Sequence, residues 1–302
     1  MKNKGVLFAL AAYILWGFFP LYFKAIQQVS ALQILAHRIA WGFVFTLAVV
    51  LVLRQWKEFR ASVFNRRTFL IYAGASVVLG INWFTYVWAV ITNHVVESSL
   101  GYFINPIVSV LLGVIFLRER LRTFQWVAIA MVTAGVVYLT ITFGQLPWIS
   151  LVLAVTFGFY GLLKKIAPLG ALHGITLETA VLTIPSLVYL FIVNANGTGT
   201  FGHSTPLLDF LLVLSGPVTA IPLLLFATGA RRIPLTTIGL LQYIAPTLQF
   251  LLGVLVFHEP FDQSRLIGFM IIWLALVLFS VENLLARRRT PSTAPIPAEI
   301  SE

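Results

Sequence analysis

Apolar runs of about 20 residues recur along almost the whole chain, each bounded by charges, Gly/Pro positions or polar clusters. A helix rises 1.5 Å per residue, so a run of ~20 reaches across roughly 30 Å of hydrocarbon. Ten such windows lie near residues 5–24, 33–53, 69–91, 98–117, 123–142, 147–163, 173–193, 206–226, 235–257 and 265–285. Composition agrees: 59% of the 302 residues are hydrophobic, 10% are charged and the mean hydropathy is +0.95. That leaves too little polar surface to cover a soluble core of this size. The fold class is an all-α membrane protein of ten transmembrane helices. The basic start before Gly5 imitates a secretory signal peptide. However, the run to Phe23 is long for one, it carries Trp16 and Pro20, and no convincing cleavage site follows.

Cations orient the spans. Lys2, Lys4, Arg54, Lys57, Arg60, Arg66, Arg67, Arg118, Arg120, Arg122, Lys164, Lys165, Arg231, Arg232 and Arg287 to Arg289 fall on one side if all ten windows cross. These are 17 of the 20 basic residues, which places both termini in the cytoplasm and loop 194–205 outside. Loop cations also explain the net charge of +10, so nucleic acid is not a partner; the lipid bilayer is. The Pro-rich tail, 287–302, has no apolar face and should be disordered. The chain has no cysteine, so thiolate and disulfide chemistry are absent.

The segment LLGVIFLRERL at 111–121 returns as LLGVLVFHEPF at 251–261. With the same offset of 140, Pro106 meets Pro246, Gly113 meets Gly253, Glu119 meets Glu259 and Arg38 meets Glu178. The repeated unit is five spans, over 1–142 and 143–286. Five is odd, so the second copy enters the bilayer from the opposite side. Inverted repeats of this kind let two halves expose one central site alternately, as in many secondary transporters. Duplication kept only for packing, as in some channels and membrane enzymes, is the alternative.

Several strings resemble a known family: GVLFALAAYILWGFFPLYFKAI, ILAHRIAW, INWFTYVWAV, ESSLGYFINP and FGFYGLLKK. They are similar to the RarD proteins, within the EamA-like drug/metabolite transporters, from residue 1 to about 285. The resemblance implies a bacterial inner-membrane permease of ten helices in two inverted halves, with a family name linked to chloramphenicol.

Polar residues at membrane depth locate the candidate site. A charged side chain at a helix centre costs roughly 2.5–3.5 kcal/mol on insertion scales, so it needs an escape route or a role. Arg38, beside His37, lies near the outer end of the second window, where anchoring by snorkelling competes with a cavity role. Glu178 lies near the inner end of the seventh window. A direct Arg38–Glu178 salt bridge is therefore not expected, and each should face the cavity or pair with a neighbouring helix. Asn82 and Tyr86 share a helical face, as do Tyr102 and Asn105 beside Pro106. Gln242, Pro246 and Gln249 follow a helical stripe with Tyr243 adjacent. Both prolines act as helix breaks that free a backbone carbonyl. Interhelical hydrogen bonding is the plainer reading of any one of these polar residues. As a group on matched spans, they form a candidate solute pocket, with Trp16, Trp83 and Trp88 as aromatic walls.

The functional expectation is a secondary active permease for a small amphipathic solute. No G-x-x-x-x-G-K-[ST] loop occurs, so a gradient must drive it, by default a proton gradient with Glu178 as carrier. No cofactor or metal is implied. Channel or lipid scramblase activity is the first alternative and a membrane enzyme the second, the latter disfavoured because no catalytic His/Asp/Glu cluster appears.

Overall fold

The computed structural model describes residues 2–63, 65–118, 121–230, 232–233, 237–238 and 241–289. Residues 287–289 of the expected disordered tail are helical; the rest of the tail, beyond Arg289, and Glu119, half of one repeat match, lie outside the described residues. All regular structure among the described residues is helical. In chain order the elements are α1 Lys2–Gly17, α2 Phe19–Ala25, α3 Ala31–Val52, α4 Trp56–Val63, α5 Arg66–Ile91, α6 Val95–Leu117, α7 Thr123–Phe143, α8 Trp148–Ile166, α9 Ala171–Ala195, α10 Pro206–Ala230, α11 Ile244–Leu251 and α12 Gln263–Arg289. A π-helical turn, Leu252–Val256, extends α11.

Every apolar window contains helix among the described residues, with turns interrupting the first window at residue 18 and the ninth at 242–243. Eight spans are long and apolar enough to cross a membrane, α1 and α2 together counting as one, and Trp148–Lys164 and Ile244–Val256 are shorter apolar helices. Large apolar side chains face outward all around the bundle: Val52, Ile141 and Phe191 are 80%, 76% and 74% exposed. A soluble surface would not tolerate so wide an apolar belt, whereas hydrocarbon favours it. Local signals set several helix starts. The Ser30 hydroxyl accepts the Gln33 amide at 3.4 Å, and Asn65 Oδ1 accepts the amides of Arg67 and Thr68 at 3.0 and 3.1 Å.

The first span is broken where the sequence shows one uninterrupted run. Pro20 has no N–H to donate to the Trp16 carbonyl one turn earlier, and the chain bends between α1 and α2. The orphaned carbonyl is taken by Gln249 Nε2 of α11, 3.0 Å away. A short amphipathic helix, α4, occupies the basic connection after α3.

Six helix pairs dominate the packing: α6 with α8, α3 with α9, α3 with α10, α7 with α12, α1 with α10, and α5 with α8. Glycine permits the tightest approach. A Cβ on Gly216 of α10 would stand 2.3 Å from the Trp41 carbonyl carbon of α3, and one on Gly101 of α6 would stand 2.7 Å from the Ser150 oxygen of α8. Two apolar clusters fill the interior, one around Phe23, Ile34 and Val87, the other around Leu100, Ile104 and Ile272. Three helix starts repeat at the offset of 140: Ala31 with Ala171, Arg66 with Pro206, and Thr123 with Gln263.

Candidate functional site

Arg38 projects from α3 seven residues after Ala31, about two turns in, which is deeper than the sequence window placed it. It is only 3% exposed, so its head group does not reach out of the bundle as an interfacial anchor would. Its Nε donates to Thr219 Oγ1 of α10 at 2.8 Å, and that hydroxyl donates onward to the Ser215 carbonyl at 2.9 Å. The guanidinium lies 4.3 Å from the Trp83 ring, 5.3 Å from Phe23 and 5.9 Å from Phe19. Its Nη1 is buried without a hydrogen-bond partner. The titratable groups around it are the phenols of Tyr22, Tyr86 and Tyr102. Among the described residues, no carboxylate forms an ion pair with it.

Tyr86 is buried, and its hydroxyl also lacks a partner. Its ring packs edge-on against Phe23 at 6.0 Å and Tyr102 at 5.7 Å, and Tyr102 packs against Phe157 at 6.2 Å. Arg38 and Tyr86 thus flank the same ring, Phe23, each with an unpartnered donor.

Glu178 occupies the matching register of α9, seven residues after Ala171, and is fully buried. Unlike Arg38 it is satisfied. Lys164 Nζ donates to Oε1 at 3.0 Å and the Tyr160 hydroxyl to Oε2 at 3.0 Å. Lys164, read from the sequence as a loop cation, instead turns inward from the last turns of α8 and lies 4.8 Å from the Tyr72 ring. Arg38 and Glu178 share no hydrogen bond, as their positions in the sequence imply.

The other candidates are dispersed. Asn82 is buried with its amide donating to the Leu153 carbonyl at 3.1 Å and Thr156 Oγ1 at 3.0 Å, which ties α5 to α8. Asn105 is half-buried and accepts weakly from Ser109 at 3.4 Å, while α6 runs on through Pro106. Gln242 lies in the turn before α11, and Tyr243 precedes its first residue with its ring stacked 6.5 Å from Phe103. Pro246 falls in the first turn of α11, where a missing N–H leaves no helix bond broken. His37 has its ring 5.0 Å from Phe201 and lines a surface cleft of about 450 Å³ that also borders Gln33 and Asn194. Trp16 packs with Tyr13 and Phe226, and Trp88 stacks on His94, so only Trp83 of the three tryptophans walls the Arg38 site.

With this geometry, comparisons with known proteins agree in one direction. Residues 3–141 match the EamA-like transporter family. The chain is 46% identical over 295 residues to the uncharacterized transporter YojE of Bacillus subtilis, covering 96% of this chain and 98% of that one. It is 42% identical over 288 residues to protein RarD of Escherichia coli, covering 95% and 97%. It belongs to the RarD proteins of the EamA-like transporter family. A solved crystal structure superposes with a TM-score of 0.58 at 20% identity, covering 96% of this chain and 99% of its own, a likeness of fold alone. Long apolar helices and transporter relatives together make this a multi-pass membrane protein.

Besides Lys164 with Glu178, four contacts of this RarD-type chain are absent from the sequence reading. Thr219 had no motif to mark it. The Gln249 contact was implicit in Pro20, which must orphan the Trp16 carbonyl. Glu259 carries its carboxylate to the start of α6, where Oε1 and Oε2 accept the amides of Val95 and Val96 at 2.7 and 2.8 Å. The duplicated acid at 119 and 259 was its signal. Glu97 similarly accepts the Ile149 amide at 3.1 Å at the start of α8.

Proposed function

We propose that this chain is a secondary active permease that moves a small amphipathic solute across the bacterial inner membrane by alternating access. Ten spans form two inverted five-helix halves, with both termini cytoplasmic. The observation that carries this reading is the pairing of Arg38 and Glu178: opposite charges at one register of two packed helices, both buried, in separate clusters. Tyr72 accompanies the Glu178 cluster and Trp83 the Arg38 cluster. They lie eleven residues apart on α5, hence roughly 16 Å along its axis. Two polar clusters at different depths, on elements that repeat at an offset of 140, are what two exchanging halves around one central path would need. The relatives named as transporters support the same class.

The solute site centres on Arg38, Trp83, Tyr86 and Tyr102, with Asn105 and Gln242 further along the path. Glu178, held by Lys164 and Tyr160, is the coupling group: a proton on Glu178 would release Lys164 and loosen α8 from α9. Asn82, Tyr243 and Gln249 hold helices together around this path. Uptake into proteoliposomes, with and without an imposed pH gradient, tests the reading. Saturable gradient-driven uptake supports it, and ion conductance or lipid flipping without saturable uptake contradicts it.

A further inference from the structure

Arg38 is the charged group of the site that its described neighbours leave chemically incomplete. A guanidinium carries five N–H donors, and removing it from water without a counter-charge is unfavourable unless something completes it. Here one nitrogen is satisfied by a neutral hydroxyl, the plane is sandwiched by Trp83 and Phe23, and Nη1 is buried and unpartnered. A second orphan, the Tyr86 hydroxyl, is among the phenols close enough to Arg38 to interact with its charge. Two unmet donors, one of them cationic, call for an acceptor of negative charge with two oxygens. A single cation matches a monoanion; a phosphate dianion would leave excess charge buried. The surrounding surface is aromatic, which favours a flat apolar body attached to that acceptor.

We infer that Arg38 and Tyr86 bind the carboxylate of a small organic acid whose apolar body lies against Trp83, Phe23 and Tyr102. The inference rests on the permease reading, since it names the class of solute that the permease carries.

The experiment measures binding to purified protein in nanodiscs, and its melting temperature, with three matched probes: phenylacetate, phenylacetamide and phenethylamine. Phenylacetate should bind at least ten-fold more tightly than the amide and raise the melting temperature, and the amine should not bind. Arg38→Met, which replaces the cation by an apolar side chain, should erase the preference for the acid without lowering the melting temperature of the empty protein. Equal binding of acid and amide overturns the inference, as does absence of acid binding, or a preference that survives Arg38→Met. A lower melting temperature of empty Arg38→Met also overturns it, by making Arg38 a framework residue. If Arg38→Met does not accumulate, Tyr86→Phe decides: several-fold weaker phenylacetate binding supports the carboxylate site, and unchanged binding overturns it. The two readings fail separately. Acid binding without gradient-driven uptake keeps the anion site and removes the permease, while saturable uptake of an amine or neutral solute by a protein that ignores phenylacetate does the reverse.

Discussion

Arg38 and Glu178 stand at one register of two packed helices, each seven residues beyond the helix start, yet among the described residues only Glu178 has an ionic partner. The difference lies in their neighbours. The last turns of α8 bring Lys164 and Tyr160 to Glu178, whereas α2, α5 and α6 surround Arg38 with aromatic rings and phenols. One charge is closed by the protein, and the other is open.

Breaking the closed pair from one side should be worse than removing both charges. Lys164→Met would leave the buried Glu178 carboxylate with the Tyr160 hydroxyl as its remaining donor. Removing one partner of a fully buried pair costs about 3–5 kcal/mol, and the cost here should be smaller because the Lys164 side chain is 26% exposed. Adding Glu178→Gln should recover most of that loss. Thermal unfolding in detergent checks this; a double variant no more stable than Lys164→Met would mean that the pair contributes nothing to the fold. Glu178→Gln alone should flatten the pH dependence of transport more than it weakens solute binding.

Gly216 should admit no side chain. A Cβ there meets backbone, the Trp41 carbonyl carbon at 2.3 Å, and backbone cannot rotate away. Gly216→Ala should therefore destabilise by about 1–3 kcal/mol and part α3 from α10. Gly74 of α5, whose Cβ would meet nothing within 4 Å, provides the control. Gly74→Ala should be neutral or stabilising, since alanine is the better helix former. Melting midpoints of the two variants should separate clearly.

The Gln249 contact to Trp16 exists because Pro20 withholds a donor. Gln249→Leu should cost about 1 kcal/mol by leaving a buried carbonyl unmet. Pro20→Ala restores an amide four residues after Trp16, so the double variant should lose less than the sum of its parts. Strict additivity in a double-mutant cycle would break the link between the two sites.

Orientation is checked by reporter fusions. A fusion at residue 199 should report the outside, and one after Arg289 the cytoplasm, because the cation-rich loops set the topology. Cytoplasmic activity at residue 199 would remove the ten-span arrangement.

Much of the fold was legible because hydrocarbon imposes a simple rule: a run of about 20 apolar residues becomes a helix. The offset of 140 was legible too, since Pro106, Gly113 and Arg38 have counterparts at it and three helix starts keep it. What the sequence could not supply was partnership between distant spans. Asn82 and Tyr86 share a face four residues apart, yet Asn82 is engaged by α8 while Tyr86 keeps a free hydroxyl beside Arg38. His37 and Arg38 are adjacent in the chain but point into different spaces, because neighbouring helical positions diverge by about 100°. Lys164 looked like one more loop cation until its reach to Glu178 was seen.

The measurement closest to the central claim is solute uptake by the purified chain in proteoliposomes under an imposed pH gradient, compared with no gradient and with Glu178→Gln. Saturable accumulation that needs the gradient in the native protein, and is indifferent to it in Glu178→Gln, is the predicted result. Uptake absent under all gradients, or present as conductance without saturation, would contradict it.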